Sequence, residues 1–386
     1  MKYIYTLAAC SLLLLQACGQ GSANTPIEKK VERKVPQLPA IQKNYVLSDY
    51  LSENESLTKD VDALFASLDD TAIVAQLIMP AVGRLGQTKN TIEKHINKRQ
   101  IGGVLMLNGT KEEFTSWISD FNAMNTQLGN PAFLYSADAE PTLMNRKIIG
   151  SRPVKKANEM KTIEEVRAYA DTIAMDLKAI GINYNFAPVV DMSKNKTVGN
   201  RSFGAVPANI IPWSNAFIQA MQKQGIIATA KHFPGHGLVS GDTHKSLQVI
   251  DGELKEIGNY PKLIEDGVLS VMIGHLAVAN NSKYNTNGLP ATASKKIITD
   301  LLRTEMKFKG LVVTDAMNMG AITAVSGSDV RAIEAGVDVL LMPLDAGKAH
   351  SAILKKYRSN PEFKAIVDAA AIRVLRMKMC VGAIKN

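Results

Sequence analysis

Eight short apolar runs separated by stretches with helical spacing predict an α/β fold, a (β/α)8 TIM-type barrel forming a single domain. Two observations carry this expectation. The runs are apolar almost throughout instead of alternating with polar residues, as in parallel strands covered on both faces. They also recur through about 320 residues, enough chain for such a barrel. An open doubly wound sheet is the alternative that strand count alone leaves standing.

The chain of 386 residues opens with Met1-Lys2, an apolar run to Leu15, and Leu15-Gln16-Ala17-Cys18. A charged start, a short apolar stretch and a small residue before the break describe an export signal too short to span a bilayer comfortably. The ending is similar to a bacterial lipobox, which places the signal peptide at 1–17 and lipidation at Cys18. Residues 18–58 then read as a flexible tether, polar, charged and spaced by prolines. The third expected segment, 59–386, is the barrel.

The runs follow in order: 72–80, 102–107, 131–136, 182–188, 226–230, 269–274, 311–314 and 338–343. Between the third and fourth, Ile163, Val166, Ala170, Ile173, Leu177 and Ile180 line one helix face. Thr162 and Glu165 have capping-box spacing at its start, and Gly181 stands where a C-terminal cap belongs. At the end of the chain, Pro361 suits a first helical turn, and Phe363, Val367, Ala370, Val374 and Met377 share a stripe.

Composition narrows the function classes. With 46% hydrophobic and 21% charged residues the chain has the make-up of a folded globular protein. The net charge of +9 comes from dispersed lysines and arginines, without an arginine-aromatic tract or zinc-knuckle spacing, so no nucleic-acid partner is expected. Of three cysteines, Cys10, Cys18 and Cys380, only the last remains once the signal is cleaved and Cys18 is lipidated. No internal disulfide is then available to an exported protein, and its core must stabilise it.

In either architecture the functional groups sit at the carboxyl ends of the strands. Asp138 follows the third run, Lys231 and His232 the fifth, His275 the sixth and Asp315 the seventh, so all are expected at one mouth. The stretch 231–244, KHFPGHGLVSGDTH, holds three of the six histidines. His232, His236, Asp242 and His244 are competent metal ligands, but Pro234 and Gly235 break any helix that would give them zinc-site spacing. Asp242 and His244 lie two apart, which places them on one side of an extended backbone, and a carboxylate beside an imidazole makes a general acid/base. Asp315 reads either as a helix N-cap or as a carboxylate nucleophile facing that imidazole.

Lys231-His232-Phe233-Pro234-Gly235-His236-Gly237, four residues, then Asp242-Thr243-His244, together with VVTDAMNM around Asp315, resemble glycoside hydrolase family 3 in its β-N-acetylhexosaminidase branch. IGGVLML, NFAPVVDM and GNRSFG fall in family order between about Val61 and the C-terminus. The resemblance implies a barrel-type catalytic domain with Asp315 as the nucleophile of a covalent glycosyl-enzyme, His244 as acid/base and Asp242 as its partner. It implies sugar binding by Lys231, His232 and Arg201. It implies sugar binding by Asp138 and Arg146 as well, which with Glu140 keep their places in the family pattern Asp-x-Glu-Gly-Gly-x-Val-x-Arg, but Pro141-Thr142 replaces the glycine pair. Proline fixes φ, so this loop is expected to take its own path.

The expected activity is therefore a retaining hydrolysis of terminal β-linked N-acetylglucosamine from peptidoglycan fragments or chitin-type oligosaccharides. The expected enzyme uses neither metal nor cofactor, meets the membrane through its lipid anchor, and needs no obligate protein partner. The alternatives are a glycan-binding lipoprotein on a drifted barrel, a family 3 β-glucosidase, and a metal-dependent hydrolase at the histidine cluster.

Overall fold

A computed structural model describes residues 38–41, 43–196 and 198–384. The expected signal peptide, Cys18 and residues 18–37 of the expected tether lie outside the described residues. The strands appear in the order in which the apolar runs were read. The first, β1, comes in two pieces, Ile78–Met79 and Ala81–Val82, on either side of Pro80. It is followed by β2 Gly103–Met106, β3 Leu134–Ala137, β4 Tyr184–Asn185, β5 Ile227–Phe233, β6 Ser270–Ile273, β7 Leu311–Thr314 and β8 Leu340–Leu341.

Strands β1 to β7 form one sheet in sequential order, and every pairing is parallel. The eighth strand closes the ring. It pairs with the first piece of β1 through Ile78 with Leu340 and Met79 with Leu341. On its other side Val339 bridges Val313 of β7. The closed barrel, not the open sheet, is the architecture.

Alternation along the strands sorts the core into two layers. Val104, Met106, Val271, Ile273, Val312 and Leu340 pack outward with the helices. Leu105, Leu107, Met272, Leu311, Val313 and Leu341 fill the barrel interior. The helix Ile163–Ile180 forms as expected, with Thr162 Oγ1 accepting from Glu165 N at 3.2 Å and Gly181 at φ 96°. Glu165 turns back to Lys161 N at 2.7 Å, one residue short of closing the capping box. The last helix, Pro361–Cys380, buries all five residues of its stripe.

Two boundaries are corrected. The first run, 72–80, is only half strand: Asp69 accepts from Ala72 N at 2.8 Å and caps a short helix, Asp70–Ala75, so extended backbone begins at Ile78. The tether does not run to residue 58, nor does the folded body begin at 59. Ile41, Tyr45, Leu47 and Tyr50 are buried in the interior cluster with Leu269, Leu311 and the last helix. Arg376 on that helix donates to the carbonyls of Tyr50, Asp49 and Ser52. These four apolar side chains are too widely spaced to show periodicity, yet they plug the amino-terminal end of the barrel. Among the described residues no helix is long and apolar enough to cross a membrane.

Candidate active site

Strand parity delivers three charged side chains to one mouth. Leu134 points into the barrel, and so, at steps of two, do Ser136 and Asp138; Ile227 leads likewise to Thr229 and Lys231, and Leu311 to Val313 and Asp315. The polar groups at the carboxyl ends thus share the direction of the interior apolar residues. The peptide bonds Ala187-Pro188, Lys231-His232 and Phe233-Pro234, near the ends of β4 and β5, are cis.

One wall of the mouth is a chain of alternating charges. Lys147 Nζ lies 2.5 Å from Asp138 Oδ2, and Lys231 Nζ lies 2.9 Å from Asp138 Oδ1 and 2.6 Å from Glu140 Oε1. Arg201 then clasps Glu140 with two nearly parallel bonds of 2.8 and 2.7 Å. Burial works to raise both carboxyl pKa values, but the cations prevail. Lys147 and Lys231 hold Asp138 well below the usual range, and Arg201 with Lys231 brings Glu140 down to about 2. Burial likewise disfavours the Lys231 ammonium, and the two carboxylates more than restore it. Three cations against two anions leave a net positive wall with donors in fixed positions.

The second wall is built on histidines. Buried Asp191 accepts from His232 N, from His232 Nδ1 at 2.7 Å and from His236 N at 2.9 Å. Because an ionised carboxylate only accepts, the proton of His232 is on Nδ1 and its Nε2 is left for the mouth. His236 Nε2 meets Thr243 Oγ1 at 3.0 Å, and burial lowers its pKa. His236 thereby ties the turn after β5 to the loop that carries Asp242 and His244. No group of three potential metal ligands gathers among the described residues.

Asp242 and His244 do meet, though by a route other than extended backbone. Residues 243–245 form a turn, and Asp242 Oδ1 accepts both His244 N at 3.0 Å and His244 Nδ1 at 2.8 Å. Asp242 is pulled below its ordinary pKa, burial being outweighed by those bonds and by the imidazole beside it. His244 is largely exposed and keeps Nε2 free to give or take a proton. The loop docks on the turn after β7, where Gly320 N donates to His244 O at 3.0 Å and Ala321 N to Thr243 O at 3.3 Å.

Asp315 belongs to that same turn. Its backbone N donates to Ile273 O at 2.9 Å, and its Oδ1 accepts from Ala316 N at 2.8 Å. Burial pushes this carboxyl up, but His232, His275 and the Ala316 N–H bring the net pKa below the ordinary value, so it stays ionised. It begins no helix, which removes the N-cap reading: the turn leads to Gly320–Thr323 behind Met319 as N-cap. His275 steadies the turn, its Nε2 donating to Ala316 O at 3.0 Å while Nδ1 accepts from Thr292 at 2.7 Å. Burial lowers its pKa.

Close backbone approach locks the two loops of the histidine wall together. A Cβ on Gly237 would stand 1.8 Å from Met192 O, which explains the glycine. Buried Glu256 accepts from Met192 N at 2.6 Å and Leu238 N at 3.1 Å, joining the same two segments. Burial and the nearby Asp191 raise its pKa. Asn195 adds bonds from its side chain to the carbonyls of Val239 and Gly241.

Asp138, Arg201, Lys231, His232, Asp242, His244 and Asp315 therefore all lie on the strand ends and loops of one barrel end. Arg146 is the exception. It stands exposed on the helical turn Met144–Lys147, whose inward face carries buried Met144 and, three residues on, Lys147. The cation that reaches Asp138 is Lys147. Sequence reasoning also gave no role to Glu140, Asp191 or Glu256. Asp191 follows closely on the fourth apolar run, so the rule that picked out Asp315 applies to it; Glu256 gave no such signal.

A barrel mouth with an ionised carboxylate, a carboxylate-held imidazole on a neighbouring loop and a bed of fixed donors defines the glycosidase class of site. The chain belongs to glycosyl hydrolase family 3: the family's N-terminal domain matches residues 70–377. It is 30% identical over 278 residues to a β-hexosaminidase of Hydrogenovibrio crunogenus, covering 65% of this chain and 75% of that protein. A β-N-acetylglucosaminidase of the same family from a Paenibacillus species superposes with a TM-score of 0.76 at 28% identity, over 82% of this chain and 63% of that one. A β-N-acetylhexosaminidase of Beutenbergia cavernae gives 0.73 at 26%, over 80% and 98%. Other curated relatives are matched over about half of their own length.

Proposed function

We propose that the chain is a retaining β-N-acetylhexosaminidase that releases terminal β-linked N-acetylglucosamine by double displacement. The observation that carries this reading is the docking of the Asp242–His244 pair onto the turn that holds Asp315. In the first step an oxygen of Asp315 bonds to the anomeric carbon as the glycosidic C–O bond breaks, and His244 Nε2 gives its proton to the leaving oxygen. In the second, water attacks the same carbon, its proton returns to His244, and the Asp315 carboxylate leaves. Asp242 stabilises the imidazolium from which the first step draws its proton and which the second step restores, as carboxylates do for the histidine of hydrolase triads. Lys231, Arg201, Asp138 and His232 hold the sugar, and their hydrogen bonds strengthen as oxocarbenium character develops. No step needs a metal or cofactor.

The names of the relatives support an aminosugar substrate. The N-terminal signal and Cys18 support an exported lipoprotein held at a membrane, and with it peptidoglycan fragments or chitin-type oligosaccharides as substrates. The deciding experiment follows release from 4-nitrophenyl β-N-acetylglucosaminide and reads the anomer formed first. Retained β-configuration is expected, with turnover abolished in Asp315→Ala; inverted product, or turnover unaffected by that change, refutes the mechanism. Metabolic labelling with a fatty acid tests the anchor, since Cys18→Ser removes the label if Cys18 carries it.

A further inference from the structure

Asp138 is gripped from two sides. Lys231 arrives from β5 and holds Oδ1, while Lys147 arrives from the turn after β3 and holds Oδ2. The turn that delivers Lys147 is itself fastened. Thr142 Oγ1 donates to Asn200 O at 2.6 Å and accepts from Ala157 N at 3.0 Å. Asn200 adjoins Arg201, so the Pro141-Thr142 pair ties the Lys147 turn to the segment that clasps Glu140. A carboxylate held at one oxygen can rotate about its Cβ–Cγ bond. Held at both, it has its remaining lone pairs aimed in fixed directions, and the ammonium of Lys147 keeps further N–H donors beside it.

We propose that Lys147, not Arg146, is the positioning residue that orients Asp138 for sugar hydroxyls and thereby sets which epimer of an N-acetylated sugar the mouth accepts. This rests on the functional reading above. Two epimers that differ in the direction of one hydroxyl present the same donor to a mobile carboxylate but not to a fixed one. Discrimination therefore depends on the two-sided grip and not merely on the charge of Asp138.

The test measures kcat and KM for the 4-nitrophenyl β-glycosides of N-acetylglucosamine and N-acetylgalactosamine with the wild type, Lys147→Met, Lys147→Arg and Arg146→Ala. Lys147→Met is expected to raise KM for the preferred epimer about tenfold, the scale of one lost charge-assisted bond. It is expected to leave kcat within about threefold and to narrow the ratio of kcat/KM between the epimers by about tenfold. Lys147→Arg restores most of both, and Arg146→Ala costs less than Lys147→Met. If Lys147→Met melts early, Lys147→Gln, which keeps a donor without the charge, replaces it. An unchanged KM and epimer ratio in Lys147→Met, or a larger effect from Arg146→Ala, overturns this inference alone. A wild type that turns over neither epimer overturns the functional reading and this inference with it.

Discussion

Lys378 lies wholly buried on the last helix, its Nζ 2.6 Å from Gln76 Oε1, and burial pulls its pKa from 10.5 down to about 7. The unfolded chain takes up this proton below about 10.4, the folded chain only near neutrality. Between those values the unfolded state holds the extra proton, so this group makes stability rise with pH, by about 1.4 kcal/mol per pH unit. At pH 7 the lysine costs about 4 kcal/mol relative to a pH at which it is neutral in both states. Lys378→Met removes that cost but leaves Gln76 Oε1 without its donor, a loss of about 1–3 kcal/mol. The variant should therefore be about 1–3 kcal/mol more stable at pH 7. By pH 9 the wild type has recovered about 2.3 kcal/mol through this group, and the advantage shrinks to near zero or reverses. Urea unfolding of both proteins at pH 7 and pH 9 measures the difference, in which the titrations common to the two cancel. Stability curves that run parallel between those pH values would refute the reasoning, because they would mean that Lys378 has the same charge folded and unfolded.

Asp315→Asn should lower turnover at least about 10³-fold, since it removes the attacking charge. Because burial is outweighed at Asp315 by His232 and His275 and the carboxyl stays below its ordinary 3.8, the acid limb that it sets in a kcat/KM profile should lie below that pH; a limb above pH 5 that disappears in a slow but active Asp315 variant would contradict this. Glu140→Gln leaves Arg201 and Lys231 facing a neutral amide in a buried site, a cost of about 3–5 kcal/mol to be read by thermal or urea unfolding. Gly237→Ala drives a Cβ against the Met192 carbonyl and should push apart the loops after β4 and β5. It should lower kcat more than it raises KM and destabilise by about 1–3 kcal/mol; wild-type kinetics would show that the loop of His244 does not depend on that contact.

The barrel was legible because its strands are apolar on both faces, and such runs survive in a single sequence as unbroken blocks. The mouth was legible for a related reason: Asp138, Lys231 and Asp315 continue the inward parity of those blocks. Contacts made across loops were not. Arg146 and Lys147 are neighbours, and only the helical turn around Met144 decides which of them faces Asp138. Asp242 and His244 were paired correctly from a wrong geometry, because a turn and an extended strand both bring residues two apart together. The amino-terminal plug was invisible for an energetic reason. Ile41, Tyr45, Leu47 and Tyr50 resemble a linker until the open end of a barrel gives them a surface to cover.

That plug fixes where the molecule can be held. Ile41, Tyr45, Leu47 and Tyr50 cover the barrel end opposite to Asp315 and His244, so a load applied to them strains the plug and the last helix before it reaches the reacting groups. A carrier domain or solid support joined through this end leaves the mouth open to large polymers, with the barrel standing between the point of attachment and the polymer. Handles at the opposite end would have to compete with the substrate for the same loops.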